Sequence, residues 1–496
     1  MLLMTSAAVA ADLEIRVLDE RGRPVWARLE VRGPGDKMYQ PASGAILDTT
    51  ARNREGGKPY YLGSFVVNSE CKVEVPAGRY TVVAERGPEY ERVERSVGVA
   101  AGTPAKLELK LRPWIRMRDL GWWSGDMHVH RPVEDSPSLS LAEDLNVNVV
   151  FTMWNKRSLW DSRPLPADPV LRASPDHLVT VMNAEDERGG GAWMLHHLRE
   201  PLKLAVDGRW FPAGILFVNQ ARAMKPAGGL FPWFDCEKPI WWEVPVMVAL
   251  ATPDSFGALH NHFNQYGIHA SEAWGKPRDI ARFPGSEGFV QYVLSLYYRY
   301  LNLGFRMPPS AGSASGVLPN PVGYNRLYAS IDGPFSLEAW YRSVREGRCF
   351  VTNGPMLFFR AKQSGSVTTA IVDVRSREPI ERVEILANGA VIHVFPTAAA
   401  AKRFQGEHTF DSSSYTWMAA RCFVKAEDTI RLAHSAPIDL RGKHDARDDA
   451  RYFIDWIDEL IALSEKEQDR FASSAEKSEV VGLYRRARAV YEEKSR

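Results

Sequence analysis

The sequence predicts a multidomain chain combining α/β and all-β architecture and ending in helices. Three observations predict it. Period-two alternation fills residues 13–112 and returns at 361–440, strand-like and helix-like runs mix between 113 and 360, and helical spacing takes over from Arg447. At 496 residues the chain exceeds one ordinary core. Lys plus Arg number 62 against 61 for Asp plus Glu, so no net field draws nucleic acid or an anionic membrane. A small-molecule or glycan partner fits this composition better. No apolar run reaches the roughly 18 to 20 residues that span a bilayer.

The start, MLLMTSAAVAAD, has an uncharged apolar stretch and then Ala8-Val9-Ala10, a small-x-small pattern that precedes signal peptidase cleavage. Residues 1–11 are read as a truncated signal peptide, with an ordinary frayed terminus as the alternative. Export to a periplasmic or extracellular compartment is the expectation. Cys71, Cys236, Cys349 and Cys422 are far apart and form no CxxC pair, so they suggest neither a zinc knuckle nor a redox motif.

Residues 12–112 alternate in LEIRVLDERGRPVWARLEV, CKVEVPAGRYTVVAERG and AKLELKL, broken by Arg-Gly-Arg-Pro and Pro-Ala-Gly turns, which predicts a β-sandwich. The phrase VPAGRYTVVAERG resembles the carboxypeptidase-regulatory, transthyretin-like module, an accessory to which no chemistry is assigned. Residues 113–360 carry strand-like runs NVNVVFTMW, HLVTVMNAE and GILFVNQ beside the helix-like SEGFVQYVLSLYYRYLNLG. This mixture predicts an α/β layer or barrel, whose ligands sit at the carboxyl ends of strands. Residues 361–440 read as a second β-sandwich and 441–496 as amphipathic helices.

Chemistry is suggested by GWWSGDMHVH, residues 121–130. In a strand, His128 and His130 share one face, so one ion can touch both. Two neutral imidazoles suit zinc, manganese or iron, given a carboxylate and a further ligand. An isolated HxH is weak evidence. The context strengthens it, because NAEDE ends a later strand and HNHFNQYGIHASEAWG follows.

GDMHVHR after a regulatory-like sandwich, with GRCFVTNGP some two hundred residues later, resembles the CehA/McbA-type metallohydrolases, relatives of the PHP (polymerase and histidinol phosphatase) domain. The resemblance implies a PHP-like distorted (β/α)7 barrel flanked by the two β-sandwiches. It also implies divalent-metal hydrolysis, with His128, His130, Glu185 and His262 as ligands. Two family motifs are degenerate: Met153 and Trp154 stand where an Asp and a His are expected, and SAGSASG, residues 310–316, replaces another Asp and His. One ion rather than three is therefore expected, acidifying a water toward a pKa of about 7 as nucleophile.

Glu187, Glu272 and His260 are the candidate catalytic acids and bases, with Asp126, Glu243 and His269 as further candidates for a replacement ligand or base. Trp242 and Trp274 are candidates for flat walls against a sugar or ring, and Ser313, Asn325 and Arg326 for polar recognition from the 310–326 loop. Each has an ordinary alternative: a solvated acidic turn for Glu185 to Glu187, a hydrogen-bonded structural histidine for His262, core packing for the tryptophans, and a turn-rich loop for 310–326. The functional expectation is a metal-dependent hydrolase of an ester, amide, phosphoester or glycan-linked bond. The alternative is a catalytically inactive barrel that binds a glycan or small ligand.

Overall fold

A computed structural model describes residues 10–47, 63–203, 210–226, 230–427 and 429–496. Nearly all of the leader segment lies outside them. The first strand begins at Ala11, and the alternation of its side chains fixes its role: Leu13, Ile15 and Val17 are buried while Arg16 is exposed. Ala11–Asp19 pairs with Glu70–Val75 on one side and, in parallel, with Ala105–Leu111 on the other. A second sheet, with Trp26–Arg32 and Gly78–Glu85 at its centre, supplies Leu29, Val31, Val82 and Ala84 to the same core. This is the β-sandwich the alternation predicts.

The sandwich docks on the α/β part through buried ions rather than through an apolar face. Arg28 bridges Glu85 at 2.8 Å and Glu143 at 2.7 Å, while Arg86 donates to the carbonyl oxygens of Trp26 and Leu141 at 2.6 Å each. Arg326 donates to the carbonyls of Gly323, Asp144 and Glu143 at 2.6, 3.2 and 2.5 Å. Asp144 in turn holds His177 at 2.9 Å and Arg118 at 3.4 Å. Glu89 accepts from the Met117 amide at 2.9 Å and the Tyr328 hydroxyl at 3.0 Å. Burial, reinforced by the Asp144 charge, pushes the Glu89 carboxyl up to about 7.

In the central part, Trp122–Val129 pairs in parallel with Val147–Val150, which pairs in parallel with His177–Thr180. The same segments run on as Met153–Trp154 and Ala184–Glu187, again parallel neighbours. From there the ladder passes through Ala192–His196, Trp233–Cys236, Ser255–Leu259 and Pro309–Ala311. It returns to its start where Ser315 bridges Val129 in parallel. The helices Ser136–Ala142, Gly214–Ala223, Val244–Ala251 and Gly285–Asn302 lie in the connections.

The run GILFVNQ, expected as a strand, is the body of helix Gly214–Ala223. Its short apolar stretch carries no period-two signal, and Ile215, Phe217, Val218 and Ala221 form a helical face against the core. Strict alternation of strand and helix also fails between Glu187 and Ala192, where a tight turn joins antiparallel strands.

The sheet continues past residue 360. Arg326–Ser330 and Cys349–Thr352 link Trp122–Val129 to Arg431–Ser435, Trp417–Val424 and Ile380–Ala387. A facing sheet of Met356–Ser364, Val367–Arg375 and Arg403–Asp411 closes a second apolar core, which draws in Ile115, Met117, Tyr328 and Phe350. The final helices, Arg447–Lys466 and Ser474–Lys494, pack onto the α/β part through Phe453, Trp456, Tyr484 and Tyr491. Mixed α/β architecture with β-sandwich packing is thus established, and no described helix is long and apolar enough to cross a membrane.

The Glu89 environment has a pH consequence. Its carboxyl is raised from 4.5 to about 7 on folding, so the folded chain holds a proton that the unfolded chain releases. The group's contribution to stability is fully favourable below about pH 4.5 and is lost as pH rises to about 7. Glu89→Gln removes that dependence. Its melting midpoint relative to wild type is expected to rise between about pH 5 and pH 8, by the equivalent of roughly 1–3 kcal/mol. A pH-independent difference in thermal denaturation contradicts the buried-acid assignment.

Candidate metal centre

Strand periodicity places Asp126, His128 and His130 on one face of Trp122–Val129 and its extension. Parallel pairing of Trp154 with Glu185 then brings the second strand end level with the first. The result is a group in which ligand atoms of His128, His130 and Glu185 all lie within 4.8 Å of one another. His130 Nε2 is 2.9 Å and His128 Nε2 3.5 Å from Glu185 Oε2, and the two Nε2 atoms are 2.8 Å apart. Glu185 is 1% exposed, yet its Oε2 has no hydrogen-bond partner. Two imidazole nitrogens and a bare carboxylate oxygen aimed at one another in a buried place fit a shared divalent cation.

His262 lies outside this group. It packs face to face on Phe289 at 5.9 Å and 17°, with His269 and His260 against its edges, and burial drives its pKa well below the usual value. The expected fourth ligand is thus a neutral, buried imidazole in a histidine and phenylalanine cluster. His260 packs against His262, Phe263 and Phe289. Burial lowers its pKa to about 4 against the pull of Glu237, and its Nε2 is buried without a partner.

The sequence reading passed over Glu237 and Lys238. Glu237 follows strand Trp233–Cys236 directly, and its Oε1 lies 3.0 Å from His128 Nδ1. A carboxylate behind a metal-binding imidazole fixes which nitrogen faces the ion and raises its basicity. Burial alone would lower the His128 pKa, but Glu237 and Glu185 outweigh it and raise it to about 10, so the metal-free centre holds an imidazolium where a cation fits. Lys238 Nζ is 2.6 Å from Glu187 Oε1 and 3.6 Å from Glu237 Oε2. The available signal was positional, since Glu237 directly follows a strand, Trp233–Cys236.

Glu187 is pinned, taking the Trp154 indole N–H at 3.1 Å on its other oxygen. Trp154 lies 4.8 Å from the His130 ring, so the indole stands beside the centre and offers it no ligand. Glu272, expected as catalytic, is tied to Arg278 instead. Glu243 is buried and receives the Tyr484 hydroxyl, anchoring the last helix.

The polar side chains Ser313, Asn325 and Arg326 of the 310–326 loop are buried and bonded within the protein. Asp126 accepts from Ser313 N at 3.0 Å, from the Ser313 hydroxyl and from Gly323 N at 2.7 Å, which clamps the loop to the histidine strand. Asn325 Nδ2 donates to the carbonyls of His260, Phe263 and Gly312 at 3.2, 3.1 and 2.9 Å. Ser313, Asn325 and Arg326 therefore spend these donors on the protein itself, because a buried turn-rich segment must satisfy its own polar groups. The small residues have a steric cause. A Cβ on Gly312 would meet His128 Cβ at 2.5 Å, and Gly316 has φ +101° against the His130 carbonyl.

Trp242 packs on Trp456 with Lys276 over its ring, as an anchor for the C-terminal helices. Trp274 alone of the predicted pair is open, 51% exposed and tilted on Trp241 at 5.4 Å. The four cysteines are free thiols, three of them buried.

No family model matches the chain, and no curated protein matches it.

Removing the carboxylate behind His128 tests the geometry. Glu237→Ala is expected to weaken divalent-metal affinity by about 10- to 100-fold, read by calorimetry with Mn²⁺ or Zn²⁺. Unchanged affinity would mean that Glu237 does not orient His128.

Proposed function

We propose that the chain is an exported, PHP-like metallohydrolase with one divalent ion, zinc, manganese or iron, held by His128, His130 and Glu185. The buried convergence of these three ligand atoms, with Glu185 Oε2 unpartnered, carries the reading. Further support comes from position: Val129, Glu187, Cys236 and Leu259 end the strands beside His130, Glu185, Glu237 and His260, where α/β folds assemble their sites. The ladder that returns to its first strand through Ser315 accords with the barrel this family resemblance implies. Residues 12–112 would then be its regulatory-like accessory sandwich.

A bound ion would supply Lewis acidity and a nucleophilic water. The chain's own residues set the conditions. Glu237 Oε1, 3.0 Å from His128 Nδ1, would leave Nε2 free to hold an ion, and Glu185 would neutralise part of its charge. Burial keeps His260 neutral, with its pKa lowered to about 4 and Nε2 without a hydrogen-bond partner, which makes it a weak base and suits it better to a neutral donor or ligand than to a proton acceptor. Glu187, paired with Lys238 and Trp154, positions its neighbours rather than exchanging protons. Substrates with an ester, amide, phosphoester or glycan-linked bond would approach past Glu187 and Trp154, which are only partly buried.

Exposed Trp274, tilted on Trp241, favours a second reading, a ligand-binding barrel without catalysis. Paired substitutions separate the two. His128→Ala with His130→Ala is expected to abolish bound metal, measured by elemental analysis, and hydrolysis across an ester, amide, phosphoester and glycoside panel, with circular dichroism unchanged. Full retention of ligand binding by this variant and its loss in Trp274→Ala, with no wild-type hydrolysis, would favour the binding protein.

A further inference from the structure

Three carboxylates, Glu185 and Glu187 on Ala184–Glu187 and Glu237 directly after Trp233–Cys236, are linked through Lys238 and His128, two of them about 1–2% exposed. Buried carboxylates need compensating charge, and their own hydrogen bonds do not supply it. Glu185 Oε2 and Glu237 Oε2 are buried with no hydrogen-bond partner. The adjacent acid Asp186 takes no part, since Arg188 holds it at 2.6 and 2.9 Å. Lys238 is the fixed cation of the group. Its side chain is 4% exposed, its Nζ lies 2.6 Å from Glu187 and 3.6 Å from Glu237, and the Trp241 ring covers it at 4.6 Å.

We propose that Lys238 is a built-in second cation: its ammonium and one divalent ion together balance the three carboxylates, and its presence holds Glu187 and Glu237 away from ligating a second ion. This rests on the metal-centre reading above. With a neutral His128, one ammonium and one divalent ion cancel the three negative charges. A second divalent ion would leave the buried group with excess positive charge, which a low-dielectric surrounding penalises. The donors a second ion would draw on are Glu187 and Glu237, both ion-paired to Lys238, and His260 Nε2, which is buried without a hydrogen-bond partner. Lys238 is therefore a positioning residue that sets metal number.

The experiment titrates metal-stripped, full-length chain with Mn²⁺ by calorimetry, with electron paramagnetic resonance counting bound ions. Wild type is expected to take one equivalent, and Lys238→Met two, the first bound at least about tenfold more tightly because a positive charge has left its surroundings. One equivalent at wild-type affinity in Lys238→Met overturns the proposal and leaves the metal-centre reading standing. Wild type that takes up no Mn²⁺ defeats both. A cycle that does not depend on the folding of Lys238→Met alone adds Glu187→Gln, expected to weaken Mn²⁺ about tenfold, and the Glu187→Gln, Lys238→Met pair, expected to restore it. A double variant as weak as Glu187→Gln, or weaker, overturns the proposal, since only charge balance predicts rescue.

Discussion

Charge compensation in a buried place is the constraint on which the centre depends. Glu185 and Glu187 lie on Ala184–Glu187 and Glu237 just past Trp233–Cys236, two strands separated by Ala192–His196, and burial makes the charges of Glu185 and Glu237 costly. Lys238 beside Glu187 and the imidazolium tendency of His128 between two carboxylates answer the same deficit, as a divalent ion held by His128, His130 and Glu185 would. The arrangement of donors around the histidines follows from that requirement. A neutral cluster in these positions would need neither Lys238 nor the carboxylate behind His128.

The 310–326 segment shows how the fold protects that geometry. Its composition of Gly, Ser, Ala and Asn has two readings, a ligand-facing loop or a packed one, and the contacts decide for packing. Asp126 accepts three donors from the segment, and Gly312 lies flat on His128 with no room for a side chain. A strap bonded to the histidine strand limits the freedom of His128 and its neighbours, which would lower the cost of ordering them around an ion. The buried ions around Glu143 and Asp144 extend the same scheme outward, since Arg326 ties the strap's end to the helix on which the N-terminal sandwich docks.

Much of the fold was legible where periodicity was strong. Ala11–Asp19, Gly78–Glu85 and Val367–Arg375 alternate in sequence and in burial, and Gly285–Asn302 follows its helical pattern. GILFVNQ failed because a short apolar run fits either period, and only its neighbours in space choose. The continuity of the central sheet past residue 360 was hidden for a related reason: pairing of Cys349–Thr352 with Arg431–Ser435 joins residues some eighty positions apart, which no local window contains.

For the centre, the sequence alone determined that His128 and His130 share a face, since strand geometry has period two, and that NAEDE carries strand residues, of which Ala184–Glu187 form the strand. Tertiary structure decided the rest. It chose Glu237 over His262 as the group touching His128, turned Ser313, Asn325 and Arg326 inward, and set Lys238 among the carboxylates. The physical reason is range. Side-chain direction along one strand is fixed by the backbone of that strand, whereas which strand ends meet depends on hydrogen bonds between segments tens of residues apart, and charge balance exists only after they have met.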